Sequence, residues 1–406
     1  MSLEIRESVP LAPLTTLGVG GPARFYAEAA GEAAVVEAFR FAEARGVPLF
    51  VLGGGSNLVV SDRGVDALVL RVRVRGVEVV GGEVVGGEVV GGEVVGGEVV
   101  GGEVVGGEGL DPAGRVLVRA GAGEGWDDLV ARAIAEGWAG VECLSGIPGD
   151  VGATPIQNVG AYGQEVAETI AEVRAVDRAT GAVAVIAGAD CGFGYRDSLF
   201  KRAWRGRYVI TAVTFALRPG GAAAVRYPEL QRALSAAPGG AAPPLGEVRG
   251  AVIALRRGKS MVLDPGDENG RSAGSFFMNP TLAAGAAAGA VARIEAAGVL
   301  APGEAIPKYP AGGGRVKLSA AWLIERAGFA RGTRHGAAGI STRHTLALVN
   351  RGGATAAELL DLARRVRRGV LDRFGVALSV EPDLVGFAPG EIADLVGGVD
   401  VADQGS

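Results

Sequence analysis

Residues 145–163 read Ser-Gly-Ile-Pro-Gly-Asp-Val-Gly-Ala-Thr-Pro-Ile-Gln-Asn-Val-Gly-Ala-Tyr-Gly, nineteen positions with five glycines and a single charge, Asp150. Glycine and proline interrupt helices and strands alike, yet the run is too apolar for a solvated linker. Glycines also let backbone N–H groups come close to a flat or anionic ligand. The stretch therefore reads as buried, irregular backbone wrapped around a large cofactor. The competing explanation is a plain packing loop in a glycine-rich chain.

Composition narrows the class. A chain of 406 residues, 48% of them hydrophobic, can bury full cores, and its length predicts two or three domains. The net charge of −5, a pI near 5.4 and the lack of a basic stripe argue against nucleic acid or an anionic membrane as partner. Met1-Ser-Leu-Glu-Ile-Arg-Glu lacks the apolar core of a signal peptide, and no run reaches the ~18 apolar residues of a membrane helix. Cys143 and Cys191 are the only cysteines, which excludes a disulfide framework. His335 and His344 are too few for a histidine-based metal centre or triad, so no metal is expected. The cytoplasm is the expected compartment, with no obligate protein partner.

The periodicity predicts a helix over 33–45, strands at 48–52, 66–72 and 115–119, a helix over 126–136 and a strand pair at 171–176 and 182–187 around Thr180-Gly181. Further on it predicts helices over 248–258, 283–297 and 317–327, then a long helix from the capping box Thr355-Ala-Ala-Glu358 to about Arg373. Val376–Val380 reads as a strand leading into Glu381. Helices and strands mix without a βαβ rhythm, so the fold class is α+β. A composition shift places a domain boundary between 217 and 218. Glu-Val-Val-Gly-Gly occurs six times in tandem from Glu78 to Gly107. Its five-residue period fits neither helix nor strand, and it reads as a tandem expansion in a surface loop with no catalytic role.

Gly53, Gly54, Gly55, Ser56 and Asn57 follow a strand, where a phosphate-binding turn belongs. Position 58 is Leu, so this is not the dinucleotide fingerprint, but backbone N–H groups there can still cradle a diphosphate. Together with 145–163 it points to one extended dinucleotide held by two loops. Arg196 sits among aromatics in Phe193-Gly-Tyr-Arg-Asp-Ser198, either as a surface ion pair or as a fixed cation beside a developing anion. Ser275 lies between Gly274 and two phenylalanines, with no histidine near it in sequence. It is read either as a turn hydroxyl or as a proton donor to a strongly basic carbanion. Glu381 stands at a strand end. Lys259, with Arg256 and Arg257, and Asn279 are candidate phosphate ligands, the alternative being charge that complements a helix terminus.

Taken in order, Thr15-Thr-Leu-Gly-Val-Gly-Gly21, Leu52-Gly-Gly-Gly-Ser-Asn57, Ser145-Gly-Ile-Pro-Gly149, Pro155–Gly163, Gly194-Tyr-Arg-Asp-Ser198 and Ala273-Gly-Ser-Phe-Phe277 resemble the UDP-N-acetylenolpyruvoylglucosamine reductase (MurB) family over roughly 12–390. The resemblance implies a two-lobed FAD-binding domain of the vanillyl-alcohol-oxidase (PCMH) type over 1–217. A substrate-binding α+β domain over 218–406 would follow, its last segment packing back on the first. It implies tightly bound FAD, NADPH as hydride donor, and reduction of UDP-N-acetylglucosamine enolpyruvate to UDP-N-acetylmuramate for peptidoglycan. It assigns Ser275 as proton donor, and Arg196 and Glu381 as stabilisers of the enolate-like intermediate, with Asp383 competing for Glu381's place if the register slips. Tyr227, Lys259 and Asn279 fall on the diphosphate and uridine, and Tyr162 near the substrate. Cofactor contacts fall on Gly53–Asn57 and on Ser145, Gly146, Ile147, Pro148, Gly149 and Gly152. A flavin oxidase of the same fold and a non-catalytic flavin- or nucleotide-sugar-binding protein are the alternatives.

Overall fold

The computed structural model describes residues 3–80, 110, 111, 113–235 and 242–396. The chain divides into two compact units. The first comprises Met1–Glu7, Phe25–Gly54 and Ala67–Arg257, and the second Ser8–Arg24, Gly55–Asp66 and Gly258–Ser406. The division after Arg257, rather than at 217, has a packing cause. Leu230, Val248 and Val252 are fully buried with Cys143, so the segment after 218 finishes a small core of the first unit.

In the first unit the helix Glu32–Arg45 ends at Gly46, which takes the left-handed conformation that stops a helix. A four-stranded sheet runs in the order Arg6–Pro10, Pro22–Ala29, Val65–Val72, Leu49–Leu52, its last pair parallel. The long strand Tyr208–Pro219 is the spine of a second sheet. Ile170–Asp177 lies on one side of it and Val116–Gly121 on the other, all antiparallel. Val183–Ala187 and Val77–Val79 extend that sheet outward. One apolar core serves both sheets and includes Trp126, Val130, Val173, Val213 and Phe215, all at or below 1% exposure. These strands and helices fall where the periodicity predicts them. Of the tandem repeat, 81–107 lies outside the described residues. Its opening is strand rather than loop: Glu78 pairs with Arg119, and the Val80 N–H donates to the Leu117 carbonyl at 2.9 Å.

The second unit is organised around the helix Ala356–Phe374. Leu359, Leu362, Ala363, Val366, Val370 and Phe374 form its buried stripe, in a core shared with Phe276, Ile294, Leu323 and Leu348. Its N-terminus is doubly satisfied. Thr355 and Glu358 form the expected capping box, and the Asp62 carboxylate accepts the N–H groups of Ala356 and Ala357 at 2.7 and 3.0 Å. Two sequence-based elements change. The helix expected over 317–327 begins at Ala320, capped by Ser319, because Arg315–Leu318 is a strand paired with both Lys308–Ala311 and Thr281–Leu282. Val376–Val380 does not form a strand; only Val380 bridges, to Phe277, and the strand comes later, at Asp383–Val385, parallel to Leu58–Val60. Among the described residues no helix is long and apolar enough to cross a membrane.

Thr355→Ala removes one half of the capping box while Asp62 keeps its two bonds, so unfolding by denaturant should show a loss of about 1 kcal/mol. An unchanged midpoint would mean that Asp62 alone satisfies the helix start.

Candidate functional site

In the first unit, the loop 145–149 is held by carboxylates and backbone rather than by a core of its own. Asp127 accepts a two-pronged hydrogen bond from Arg249, at 2.6 and 2.8 Å, and a third from the Gly146 N–H at 2.6 Å. Burial opposes ionisation of Asp127, but the bonds from Arg249 and Gly146 outweigh it and hold the carboxyl below its ordinary range. The buried Ser145 hydroxyl donates to the Glu142 carbonyl at 2.7 Å. Gly54 meets this loop closely, for a Cβ there would fall 2.7 Å from the Gly149 Cα. Only glycine permits that approach.

Two further loops are stapled together by side chains on backbone. Asn158 donates to the Gly194 carbonyl at 2.9 Å and to Glu165 at 2.8 Å, and accepts from the Ala167 N–H at 3.1 Å. The Ser198 hydroxyl donates to the Ile156 carbonyl at 2.6 Å. Arg196 is held the same way, its Nη2 on the Gly160 carbonyl at 2.7 Å. Asn158, Tyr162 and Arg196 all have positive φ, of 46, 50 and 54°. Such backbone persists only where its surroundings over-determine it, and it gathers at functional sites. The Tyr162 and Tyr227 rings meet edge to face at 5.6 Å. Burial pushes the Tyr162 phenol up to about 12, so it stays a hydrogen-bond donor throughout the working pH range. Arg256, at the end of the helix Leu245–Gly258, lies near Tyr162, Asp127 and Arg196. Burial, with Arg196 adding repulsion, pushes its guanidinium down from the ordinary value. The Arg256 guanidinium facing the Tyr162 phenol suits an anion.

In the second unit, the candidate hydroxyl and carboxylate come together through backbone pairing. The Phe276 N–H donates to Leu346, the Glu381 N–H to the Phe276 carbonyl at 2.9 Å, and the Met278 N–H to Ser379 at 3.0 Å. Ser275 thus sits one residue from the bond that fixes Glu381. It is half-buried, while Phe276 and Phe277 beside it are at 0% and 1% exposure. Glu381 is half-buried and Asp383 exposed, which supports Glu381 as the candidate carboxylate. Asn57 joins the same corner: its Nδ2 donates to the Glu381 carbonyl at 3.3 Å, and its own carbonyl accepts the Asp383 N–H at 3.0 Å. Gly55 has φ 67° and its carbonyl accepts the Thr16 N–H at 3.0 Å, while the Thr16 hydroxyl reaches the Ser56 carbonyl at 3.4 Å. Lys259 is half-buried. Asn279 has a structural task as well, its Oδ1 accepting the Ala320 N–H at 2.9 Å.

Comparison with known proteins decides what this arrangement belongs to. Residues 264–385 match the UDP-N-acetylenolpyruvoylglucosamine reductase C-terminal domain, and residues 81–187 match an FAD binding domain. The chain is 48% identical to the UDP-N-acetylenolpyruvoylglucosamine reductase of Thermobifida fusca, over 95% of this chain and 99% of that one. It is also 48% identical to the enzyme of that name from Saccharopolyspora erythraea, over 93% and 95%. The chain belongs to the UDP-N-acetylenolpyruvoylglucosamine reductase family. The crystal structure of a member from Thermus caldophilus superposes with a TM-score of 0.58 at 25% identity, covering 95% of this chain and 99% of that one. The protein is accordingly an α+β flavoprotein oxidoreductase.

The residues present fit the FAD that membership in this reductase family implies. The cradle at Gly54 and Gly149 presents backbone that a side chain would block, and two polar atoms near it, Asp150 Oδ2 and Arg71 Nε, are buried with no hydrogen-bond partner among the described residues. Gly152 is packed equally closely, a Cβ there falling 2.6 Å from that of Ala122. Sequence reasoning missed Asp127, Asn158 and Arg249, whose partners lie up to 122 residues away. The one local hint was residue type, since asparagine is among the residues that tolerate the positive φ found at Asn158.

Asp127→Asn should weaken the grip on the 145–149 loop, lowering stability by about 1–3 kcal/mol at neutral pH and reducing the flavin that co-purifies. Because the native carboxyl titrates below its unfolded value of ~3.9, the contribution is full above that value and fades as the pH falls through the native one. Melting curves of the two proteins should therefore converge below about pH 4 and stay apart at pH above it. A gap independent of pH would contradict the ionic role.

Proposed function

We propose that the chain reduces UDP-N-acetylglucosamine enolpyruvate to UDP-N-acetylmuramate, with NADPH as the source of hydride. The observation that carries this reading is the backbone pairing that sets Ser275, flanked by two buried phenylalanines, beside the segment of Glu381. When bound, FAD carries the hydride from the nicotinamide to the vinyl carbon of the enolpyruvyl ether. Adding hydride there leaves an electron pair on the adjacent carbon, conjugated with the substrate carboxylate. The Ser275 Oγ–H supplies the proton that closes that carbon. A serine is a poor acid in water, and it donates only to a strongly basic centre in a dry, positioned setting. Phe276 and Phe277 provide the dryness.

Arg196 is assigned to the charge that develops on the substrate carboxylate. Its hydrogen bond to the Gly160 carbonyl fixes the guanidinium before reaction, and preorganised charge is what stabilises a transition state. Glu381 is assigned as the second group on the enolate-like intermediate. Tyr227, Lys259 and Asn279 are assigned to the diphosphate and uridine, and Tyr162, with its high phenol pKa, to the substrate as a donor.

Ser275→Ala separates the two half-reactions. Anaerobic reduction of the flavin by NADPH should proceed at nearly the native rate, while reoxidation by the enolpyruvyl substrate should fall by at least 10²-fold, the usual size of a lost general acid. Equal loss in both halves would remove Ser275 from the proton transfer and make it a structural residue. Glu381→Gln should likewise slow only the second half-reaction.

A further inference from the structure

Asp150 stands at the meeting of the two glycine loops. Its backbone N and its Oδ1 each lie 3.0 Å from where a Cβ on Gly54 would be. It occupies the N-cap position of the short turn Val151–Ala153, where an aspartate ordinarily accepts a backbone N–H, yet it makes no such bond. Its Oδ2 is buried and has no hydrogen-bond partner among the described residues. An unsatisfied buried oxygen costs about 1–3 kcal/mol, so a fold that keeps one in contact with a ligand cradle invites the question of what satisfies it.

The charged groups that face Asp150 are Arg71, Arg73, Arg75 and Glu124. Two of the three guanidiniums are engaged elsewhere, Arg73 with Glu28 at 3.7 Å and Arg75 with Glu124 at 3.2 Å. Arg71 bonds to Tyr26 and has its Nε buried without a partner among the described residues. Charge for charge the corner balances, with Arg71 left to offset Asp150 at longer range. What the corner lacks, among the described residues, is a hydrogen-bond donor for Asp150 Oδ2.

We propose that Asp150 is a cofactor-binding residue whose carboxylate accepts a hydrogen bond from a sugar hydroxyl of the dinucleotide held by this cradle. The inference rests on the flavoprotein reading above. Burial pushes the Asp150 carboxyl up, with Arg71, Arg73 and Arg75 opposing. A donated hydroxyl favours the ionised form, so protonation and FAD binding compete, and the flavin is held less tightly as the pH falls.

The test uses the flavin-loaded full chain. Diluted holoenzyme releases FAD, and the rise in flavin fluorescence gives the release rate without any turnover. Wild-type release should quicken as the pH is lowered from neutral and the carboxylate, pushed up by burial, protonates. In Asp150→Asn release should be about tenfold faster at neutral pH, the equivalent of ~1.4 kcal/mol, and flat across the same range. Asp150→Ser, whose hydroxyl still accepts, should recover part of the loss. Melting of the variants after flavin loss should match the wild type, which separates binding from folding. Equal release rates and pH profiles in wild type and Asp150→Asn would overturn the proposal. So would slower release from Asp150→Asn, since that is the signature of a carboxylate repelling a diphosphate. A wild-type protein that carries no flavin would overturn the cofactor reading beneath it.

Discussion

Backbone packed directly on backbone, where Gly54 meets Gly149, is the constraint on which the cofactor-binding unit depends. A side chain at position 54 would collide with the Gly149 Cα and with Asp150. Its absence lets two loops from distant parts of the chain present N–H groups and a carboxylate within one narrow space. Glycine-rich backbone is entropically costly to order, and the structure offsets that cost with bonds from outside the loop. Asp127 and Arg249 anchor Gly146, and Trp126 donates from its indole to the Leu144 carbonyl at 3.1 Å. The rigidity of the cradle is therefore borrowed from the helices Trp126–Ala135 and Leu245–Gly258.

The second unit solves a different problem with the same means. Three main-chain hydrogen bonds around Phe276 set Ser275, flanked by two buried phenylalanines, beside the segment of Glu381. Because those bonds are made by backbone, the segments that carry Ser275 and Glu381 are fixed by the main chain. Asn57 braces the Glu381 carbonyl from the glycine turn. A change at Asn57 is thereby expected to act through Glu381 as well as through any ligand.

What was legible in the sequence was what local chemistry decides. The helix Ala356–Phe374 followed from its capping box and apolar stripe, and the strands around Thr180-Gly181 from alternation and a turn signal. The glycine loops declared themselves because their composition fits no regular element. Tertiary pairing decided the rest. Lys317 looked helical but was drawn into a strand by partners on both sides, and Val376–Val380 had strand-like composition but no adjacent strand to complete. The domain division at 217 followed composition, whereas Leu230 and Val252 extend the first unit to Arg257 by burying themselves beside Cys143. In the site, motif positions such as Arg196 and Ser275 could be picked out, but the residues that hold the site in place could not. Asn158 reaches Gly194 and Asp127 reaches Arg249 across intervals that carry no local pattern. The strain at Tyr162 and Arg196 is likewise a property of the folded backbone alone.

The proposed activity requires that one substrate accept reducing equivalents from a flavin held by this chain. The most direct measurement is the visible spectrum of the purified protein under anaerobic conditions, recorded after NADPH and again after UDP-N-acetylglucosamine enolpyruvate. A flavin band that bleaches with NADPH and returns only with the enolpyruvyl substrate is the expected result. A band that NADPH does not bleach, or one that returns only when oxygen is admitted, would contradict it.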